Sequence, residues 1–89
     1  MEARVKADIR QYIVHTWLSG DGRGLDDETD LQQSGILDSF STLALVSFLD
    51  DAFAVQLEPA DINAESFRTV SRLARLVAGK LERKGSAGA

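Results

Sequence analysis

The residues with the most chemical potential form one short run, Gly35-Ile36-Leu37-Asp38-Ser39-Phe40. A long polar stretch ends there and an apolar-rich helical pattern begins. The Ser39 hydroxyl therefore falls at a helix N-terminus, after an acid and between large apolar residues. Such a terminus carries unpaired N–H groups and the positive end of the helix dipole, and it favours a phosphate. The plainer reading is that Asp38 or Ser39 serves only as an N-cap. A nucleophilic Ser39 would need a base, and the sole histidine, His15, lies on a different predicted helix among its polar positions. The chain has no cysteine, so it offers no disulfide, thiolate nucleophile or zinc–thiolate site. No glycine-rich phosphate loop or metal-ligand cluster is present. Neither catalysis nor metal binding is expected, and His15 reads as solvated surface.

These residues must be positioned by a small body. At 89 residues the chain is one small domain, and a hydrophobic fraction of 44% is enough for one core. No apolar run reaches membrane-spanning length and no signal-peptide pattern opens the chain, so a cytoplasmic, non-inserted monomer is expected. The net charge of −4 is unevenly spread. Residues 21–65 hold eleven acids and one base, whereas residues 66–89 hold six bases and one acid. The acidic centre argues against nucleic acid as a partner and suits docking on basic protein surfaces.

The spacing of Val5, Ile9, Tyr12, Ile13 and Trp17 predicts an amphipathic helix over residues 2–18, with Arg10 on its wet side. Ser19-Gly20 and Asp21-Gly22 stop it. A loop of about twenty residues follows, long for a compact domain. Leu31 and Ile36 are expected to pin it, with one helical turn near Thr29 to Gln33 and a special backbone angle at Gly35. The second helix, 39–54, directs Leu45, Val46, Phe48, Leu49, Ala52 and Phe53 to the core. Opposite lie Phe40, Leu43, Ala44, Ser47, Asp50 and Asp51, a strip with an apolar centre and an acidic edge that reads as a docking face. Pro59 starts a short helical segment. Thr69 caps the last helix, whose buried face is Val70, Leu73, Ala74, Val77 and Leu81. The predicted fold is all-α: a small four-helix bundle of three main helices and one short one, with a long loop between helices one and two. The folded domain spans residues 1–83, and residues 84–89 read as a disordered tail.

The order Gly35-x-Leu37-Asp38-Ser39-Phe40, then Leu45-Val46, Leu49, Asp50-Asp51, Phe53, Pro59 and Phe67-x-Thr69-Val70-x-x-Leu73, resembles the acyl and peptidyl carrier proteins. The likeness covers roughly residues 5–82. It implies that Ser39 carries 4′-phosphopantetheine, placed there by a phosphopantetheinyl transferase. The arm's thiol would then hold an acyl or aminoacyl thioester, chemistry that a protein without cysteine can perform only with an imported thiol. It implies further that Asp38 helps recognition and that helix two, through Phe40, Leu43, Ala44, Ser47, Asp50 and Asp51, faces the partners. These would be an adenylating ligase or acyltransferase that loads the arm and a downstream synthase or transferase.

Fatty-acid carriers usually have Leu where Phe40 stands, often Glu at Ala44, and an acidic run in place of Asp50-Asp51-Ala52. Asp-Ser-Phe is closer to D-alanyl carriers and to discrete carriers of specialised polyketide or nonribosomal peptide metabolism. The expectation is a stand-alone carrier that is a substrate of enzymes, with a D-alanyl or fatty-acid carrier as the alternatives. An unmodified helical adaptor would explain the exposed Phe40 and Leu43 but not the Asp-Ser register.

Overall fold

The computed structural model describes residues 2–88, with side chains for residues 2–83. Three α-helices carry the fold: α1 (Glu2–Trp17), α2 (Ser39–Phe53) and α3 (Val70–Gly88). The described residues contain no strand. The expected fourth helix is only a 3₁₀ turn, Pro59–Asp61, opened by proline at its first position. Three residues cannot present a face to a core. The architecture is therefore a three-helix body with a helical turn in its second connection, rather than four bundle helices. The expected disordered tail, 84–89, lies outside the residues whose side chains are described.

α3 is the central element, packing against both α1 and α2. Val70, Leu73, Ala74 and Val77 are fully buried on it and share one hydrophobic core with Ile9 and Ile13 of α1 and Leu45 and Leu49 of α2. Burying such a side chain is worth about 1.5–3 kcal/mol, so these residues set the register of the bundle. Leu81, expected in this face, is only half-buried, and Ala78 is buried instead. On α1, Val14 joins the core while Tyr12 and Trp17 remain half-buried at its edge. Tyr12 stacks on Phe48 of α2 at 3.9 Å between ring centroids and meets Trp17 edge-on. Ala52, placed in the core by the helical wheel, is exposed.

The long first loop is fastened at both ends and in the middle. Its apolar pins are Leu25, Leu31 and Leu37; Ile36, expected as a pin, is half-buried. Arg10 is not on a wet face. Its Nη2 donates to the carbonyls of Gly22 (2.8 Å) and Leu25 (3.0 Å), closing the loop onto α1. The Cβ of an alanine at Gly22 would lie 3.0 Å from both Arg10 Nη2 and Val14 Cγ2, which explains the glycine. From the other side, the Leu31 N–H donates to Arg68 O at 2.7 Å and the Ser71 N–H to Asp27 O at 3.1 Å. Ser71 Oγ also donates to Glu28. The helical turn expected near Thr29 to Gln33 is present as one turn: the Ser34 N–H reaches Asp30 O, and Asp30 Oδ1 accepts from the Gln32 and Gln33 N–H groups. Gly35 then takes a φ of +83°, the left-handed angle anticipated for it. The Leu37 N–H returns to Leu31 O, delivering the chain to the start of α2.

Candidate functional site

Asp38, not Ser39, is the N-cap of α2. Its backbone is extended (φ −122°, ψ −169°), and its Oδ1 accepts from the N–H groups of Phe40 at 2.9 Å and Ser41 at 2.8 Å. Ser41 answers it: the Asp38 N–H donates to Ser41 Oγ at 2.8 Å. The Ser41 hydroxyl lies 3.0 Å from both Ile36 O and Asp38 Oδ1, within reach of either as acceptor. This is a reciprocal capping box with serine in the place of the usual Glu or Gln. Ser41 is buried, so the box ties the last residues of the loop to the first turn of the helix. These bonds, first the Ser41 N–H and then its hydroxyl, hold the Asp38 carboxyl below its ordinary value.

With both neighbours engaged, Ser39 is left as the first helical residue, exposed to solvent. Among the described residues its hydroxyl makes no hydrogen bond. The residue types therefore fit a covalently attached phosphodiester: an accessible, unpartnered hydroxyl on a rigidly capped turn, near the positive end of the helix dipole. One expectation needs revision. The N–H groups of Phe40 and Ser41 are already bonded to Asp38, so they are not available to cradle a phosphate. The hydroxyl is presented outward rather than into an anion pocket.

The outer strip of α2 is brought together in part. Phe40 is 81% exposed and Leu43 66%, the two exposed large hydrophobic residues of the described chain. Ser47 and Asp51 are exposed beside them, whereas Ala44 is half-buried. Asp50 is also half-buried, and its Oδ1 accepts the Leu57 N–H at 3.1 Å, holding the chain after α2. Asp51 is thus the free carboxylate of the pair. His15 is exposed and, with Tyr12 and Phe48, lines a separate groove that does not include Ser39. The described residues hold no cluster of metal-ligating side chains, and none of their helices is long and apolar enough to cross a membrane.

Comparison with known proteins gives the family. The family model described as a phosphopantetheine attachment site matches residues 11–77. The chain belongs to the phosphopantetheine-binding carrier proteins. The carrier is 31% identical over 70 residues to a D-alanyl carrier protein of Lactococcus lactis subsp. cremoris (strain MG1363), covering 79% of this chain and 89% of that one. It is 30% identical over 73 residues to the probable acyl carrier protein PigG of Serratia sp. (strain ATCC 39006), covering 82% of this chain and 84% of that one. A solved chain from a crystal structure described as that of an FAD-dependent dehydrogenase superposes with a TM-score of 0.70 at 35% identity. That chain is of carrier size, because 76% of the present carrier spans 96% of it. The carrier's cofactor is covalently attached 4′-phosphopantetheine, which supplies a thiol for thioester chemistry.

Two functional side chains escaped the reading of the sequence. Ser41 was missed because the familiar capping-box pattern asks for an acid or amide at its position; Asp38-x-x-Ser41 was the available signal. Arg10 was missed because a charged residue at a polar helical position reads as surface. Asp21 to Gly24, a turn with carbonyls to satisfy, gave only a faint hint of its role.

Proposed function

We propose that this carrier bears its 4′-phosphopantetheine on Ser39 and presents an aminoacyl or similar carboxylate cargo as a thioester. The observation that carries the site assignment is the exposed, unbonded Ser39 hydroxyl on a turn whose other polar groups are committed to capping. Asp38 acts first as the cap that fixes this turn, and its recognition role follows from the shape it imposes. Phe40 and Leu43, with Ser47 and Asp51 at the edge, form the face that meets the transferase and the loading enzymes. Ala44 contributes partly, and Asp50 acts through the chain that it holds. The carrier is a substrate of these enzymes rather than a catalyst. Its place is the cytoplasm, where the transferase and coenzyme A are found.

The aminoacyl reading is supported by the Asp38-Ser39-Phe40 sequence and by the likeness to D-alanyl carriers. A separate adenylating ligase would load the arm, in a specialised polyketide or nonribosomal peptide pathway. A D-alanyl carrier is the nearest alternative and a fatty-acid carrier a more distant one. The solved chain from an FAD-dependent dehydrogenase structure supports one further partner class. A flavin dehydrogenase would oxidise the tethered cargo, its flavin taking a hydride and an enzymic base a proton.

The decisive experiment incubates the purified carrier with coenzyme A and a promiscuous phosphopantetheinyl transferase and follows intact mass. The expected result is one pantetheinyl adduct, mapped to Ser39 and absent from Ser39→Ala. An adduct on Ser39→Ala would overturn the site, and no adduct on the folded wild-type protein would favour the unmodified adaptor. Loading of the holo protein only from acyl-coenzyme A by an acyltransferase, without ATP-dependent aminoacylation by an adenylating ligase encoded beside the carrier, would overturn the cargo and leave the site standing.

A further inference from the structure

α1 and α2 meet along an aromatic seam that the fold leaves partly uncovered. Trp17 meets Tyr12 edge-on, Tyr12 stacks on Phe48, and Phe48 meets Phe53 edge-on at 6.2 Å between centroids. All four rings are half-buried. Within the seam lies a groove of about 310 Å³, lined by Asp8, Gln11, Tyr12 and His15 of α1 and by Phe48 and Ala52 of α2. Ala52 sits on the edge of α2's apolar arc, yet it is exposed, and its methyl group is too small to close the groove.

We propose that this groove between α1 and α2 is a second docking site, which takes a bulky apolar side chain of the adenylating ligase that loads the arm, with a cationic side chain of that enzyme paired to Asp8. This rests on the reading of Ser39 as the attachment point and of α2's outer strip as a docking face. Two observations point to such a partner. The first is continuity: Ala44 and Asp51 of the strip lie one turn before and one turn after Phe48, so strip and groove share a border. The second is charge. Asp8 is half-buried at the groove and Asp51 is exposed at the border, and among the described residues neither carboxylate makes a salt bridge or a side-chain hydrogen bond. Free carboxylates beside uncovered ring surface suit a partner that offers a cation next to an apolar anchor. The volume is at the floor of the range for small-molecule pockets, about 300–1,000 Å³, and the groove is open, so one inserted side chain fits it better than a free ligand does.

Position decides which enzyme uses the groove. Phe48 follows Ser39 by nine residues, about 14 Å along the helix axis at 1.5 Å per residue. A phosphopantetheinyl transferase acts on Ser39 Oγ itself and must close on the start of α2. A loading enzyme acts at the far end of the arm, so it holds the carrier's body away from its own reacting centre. The groove therefore serves the loading enzyme and is dispensable for the transferase.

The test uses the adenylating ligase encoded beside the carrier as the probe and a promiscuous phosphopantetheinyl transferase as the control. Intact mass first establishes the adduct on Ser39, so failure of that reading is seen by itself. Ala52→Gln keeps a good helix former and lays a polar chain across the groove. Asp8→Lys reverses the charge at its side. Each should raise the ligase's KM for the holo carrier about fivefold or more, the effect of a contact residue rather than a rim one. The kcat of loading and the rate of modification by the transferase should stay at wild-type values, and the Asp8→Lys effect should shrink as salt rises. Titrating the isotope-labelled, unmodified carrier with the ligase should shift the amide signals of Asp8, His15 and Ala52 together with those of Phe40 and Leu43. This titration needs no arm, so it tests the groove even where the adduct is absent. An unchanged KM in both variants would overturn the proposal, as would a ligase that shifts only the outer strip of α2 or nothing at all. Equal slowing of transferase and ligase would overturn it too, because the variants would then act through the fold. Shifts of the same amides on concentrating the carrier alone would assign the groove to a second copy and overturn it likewise.

Discussion

α2 and α3 begin in chemically similar ways and are used differently. Each start has an oxygen-bearing side chain accepting from the N–H three residues on: Asp38 from Ser41, and Thr69 from Arg72 at 3.1 Å. Thr69 is buried, and its turn is pressed between the pinned Leu31 and the core through the Leu31 N–H to Arg68 O bond. Asp38 is exposed and followed by an exposed serine whose hydroxyl makes no hydrogen bond among the described residues. One start serves the fold alone. The other delegates its structural work to Asp38 and the buried Ser41 and so leaves the residue between them unconstrained by the fold. A modification site on a helix needs this division: the neighbours hold the turn while the reacting hydroxyl holds nothing.

The largest effect that separates the two starts comes from Ser39→Ala. Mass gain on incubation with transferase and coenzyme A should vanish entirely. Stability should stay within about 0.5 kcal/mol of wild type, as for an exposed substitution outside any cap. Urea denaturation checks this. A cost of about 1 kcal/mol or more, the signature of a lost cap, would show that Ser39 shares the capping with Asp38.

The next largest comparison sets Ser41→Ala beside Thr69→Ala. Removing Ser41 Oγ takes away the acceptor for the Asp38 N–H and a donor within reach of Ile36 O. Leaving such groups unpaired costs about 1–3 kcal/mol, and losing a threonine cap about 0.5–2 kcal/mol. Both should lower the melting temperature, by about 4–8 °C for each kcal/mol in a domain of this size. Only Ser41→Ala should slow modification of Ser39 when both variants are assayed well below their transitions. Equal slowing by both would mean that modification follows overall stability rather than the geometry of the α2 turn.

A smaller effect concerns the outer strip. The sequence places Asp50 and Asp51 together on the wet face, but Asp50 holds the Leu57 N–H. Reversing Asp50 would disturb the chain after α2, so Asp51→Lys is the clean probe. Its loading by the cognate enzyme should slow mainly through association rate, with the difference shrinking as salt rises. Equal rates at low salt would remove Asp51 from the interface.

Much of this was legible beforehand, for identifiable reasons. Helical periodicity found α1, α2 and α3, because apolar spacing reports a face directly. It located Ser39 at a helix start and placed Phe40 and Leu43 outside. It failed where a residue's role is set by a distant backbone. Arg10 looked like surface until the carbonyls of Gly22 and Leu25 came to it. Asp50 looked free until Leu57 folded back, and Ala52 looked buried because an alanine on the edge of an apolar arc carries no signal of its own. Pro59 announced a helical segment correctly but could not say that it would stop after one turn. The aromatic stack of Tyr12 on Phe48 joins two helices far apart in the chain, and no local pattern encodes such a pairing.

The smallest predicted effect uses the one chemical difference between the caps that titrates. Hydrogen bonds from Ser41 and Phe40 lower the folded-state value of Asp38 below that of an unfolded aspartate, about 3.9. A depressed carboxyl contributes stability that is present above the unfolded value and is lost as pH falls through the folded one. The cap of α2 should therefore loosen on acidification below about pH 4, whereas the Thr69 hydroxyl does not titrate and the start of α3 should hold. Amide hydrogen exchange, corrected for its intrinsic pH dependence, reads both starts in one experiment. Protection at Phe40 and Ser41 should decline over this range while that at Arg72 persists. Asp38→Asn keeps a good capping side chain without the charge, and it should abolish the pH dependence at Phe40 and Ser41. Parallel loss at Arg72 in the wild-type protein would mean that acid unfolds the whole domain before it opens the α2 turn, and the local difference between the two starts would then be too small to matter.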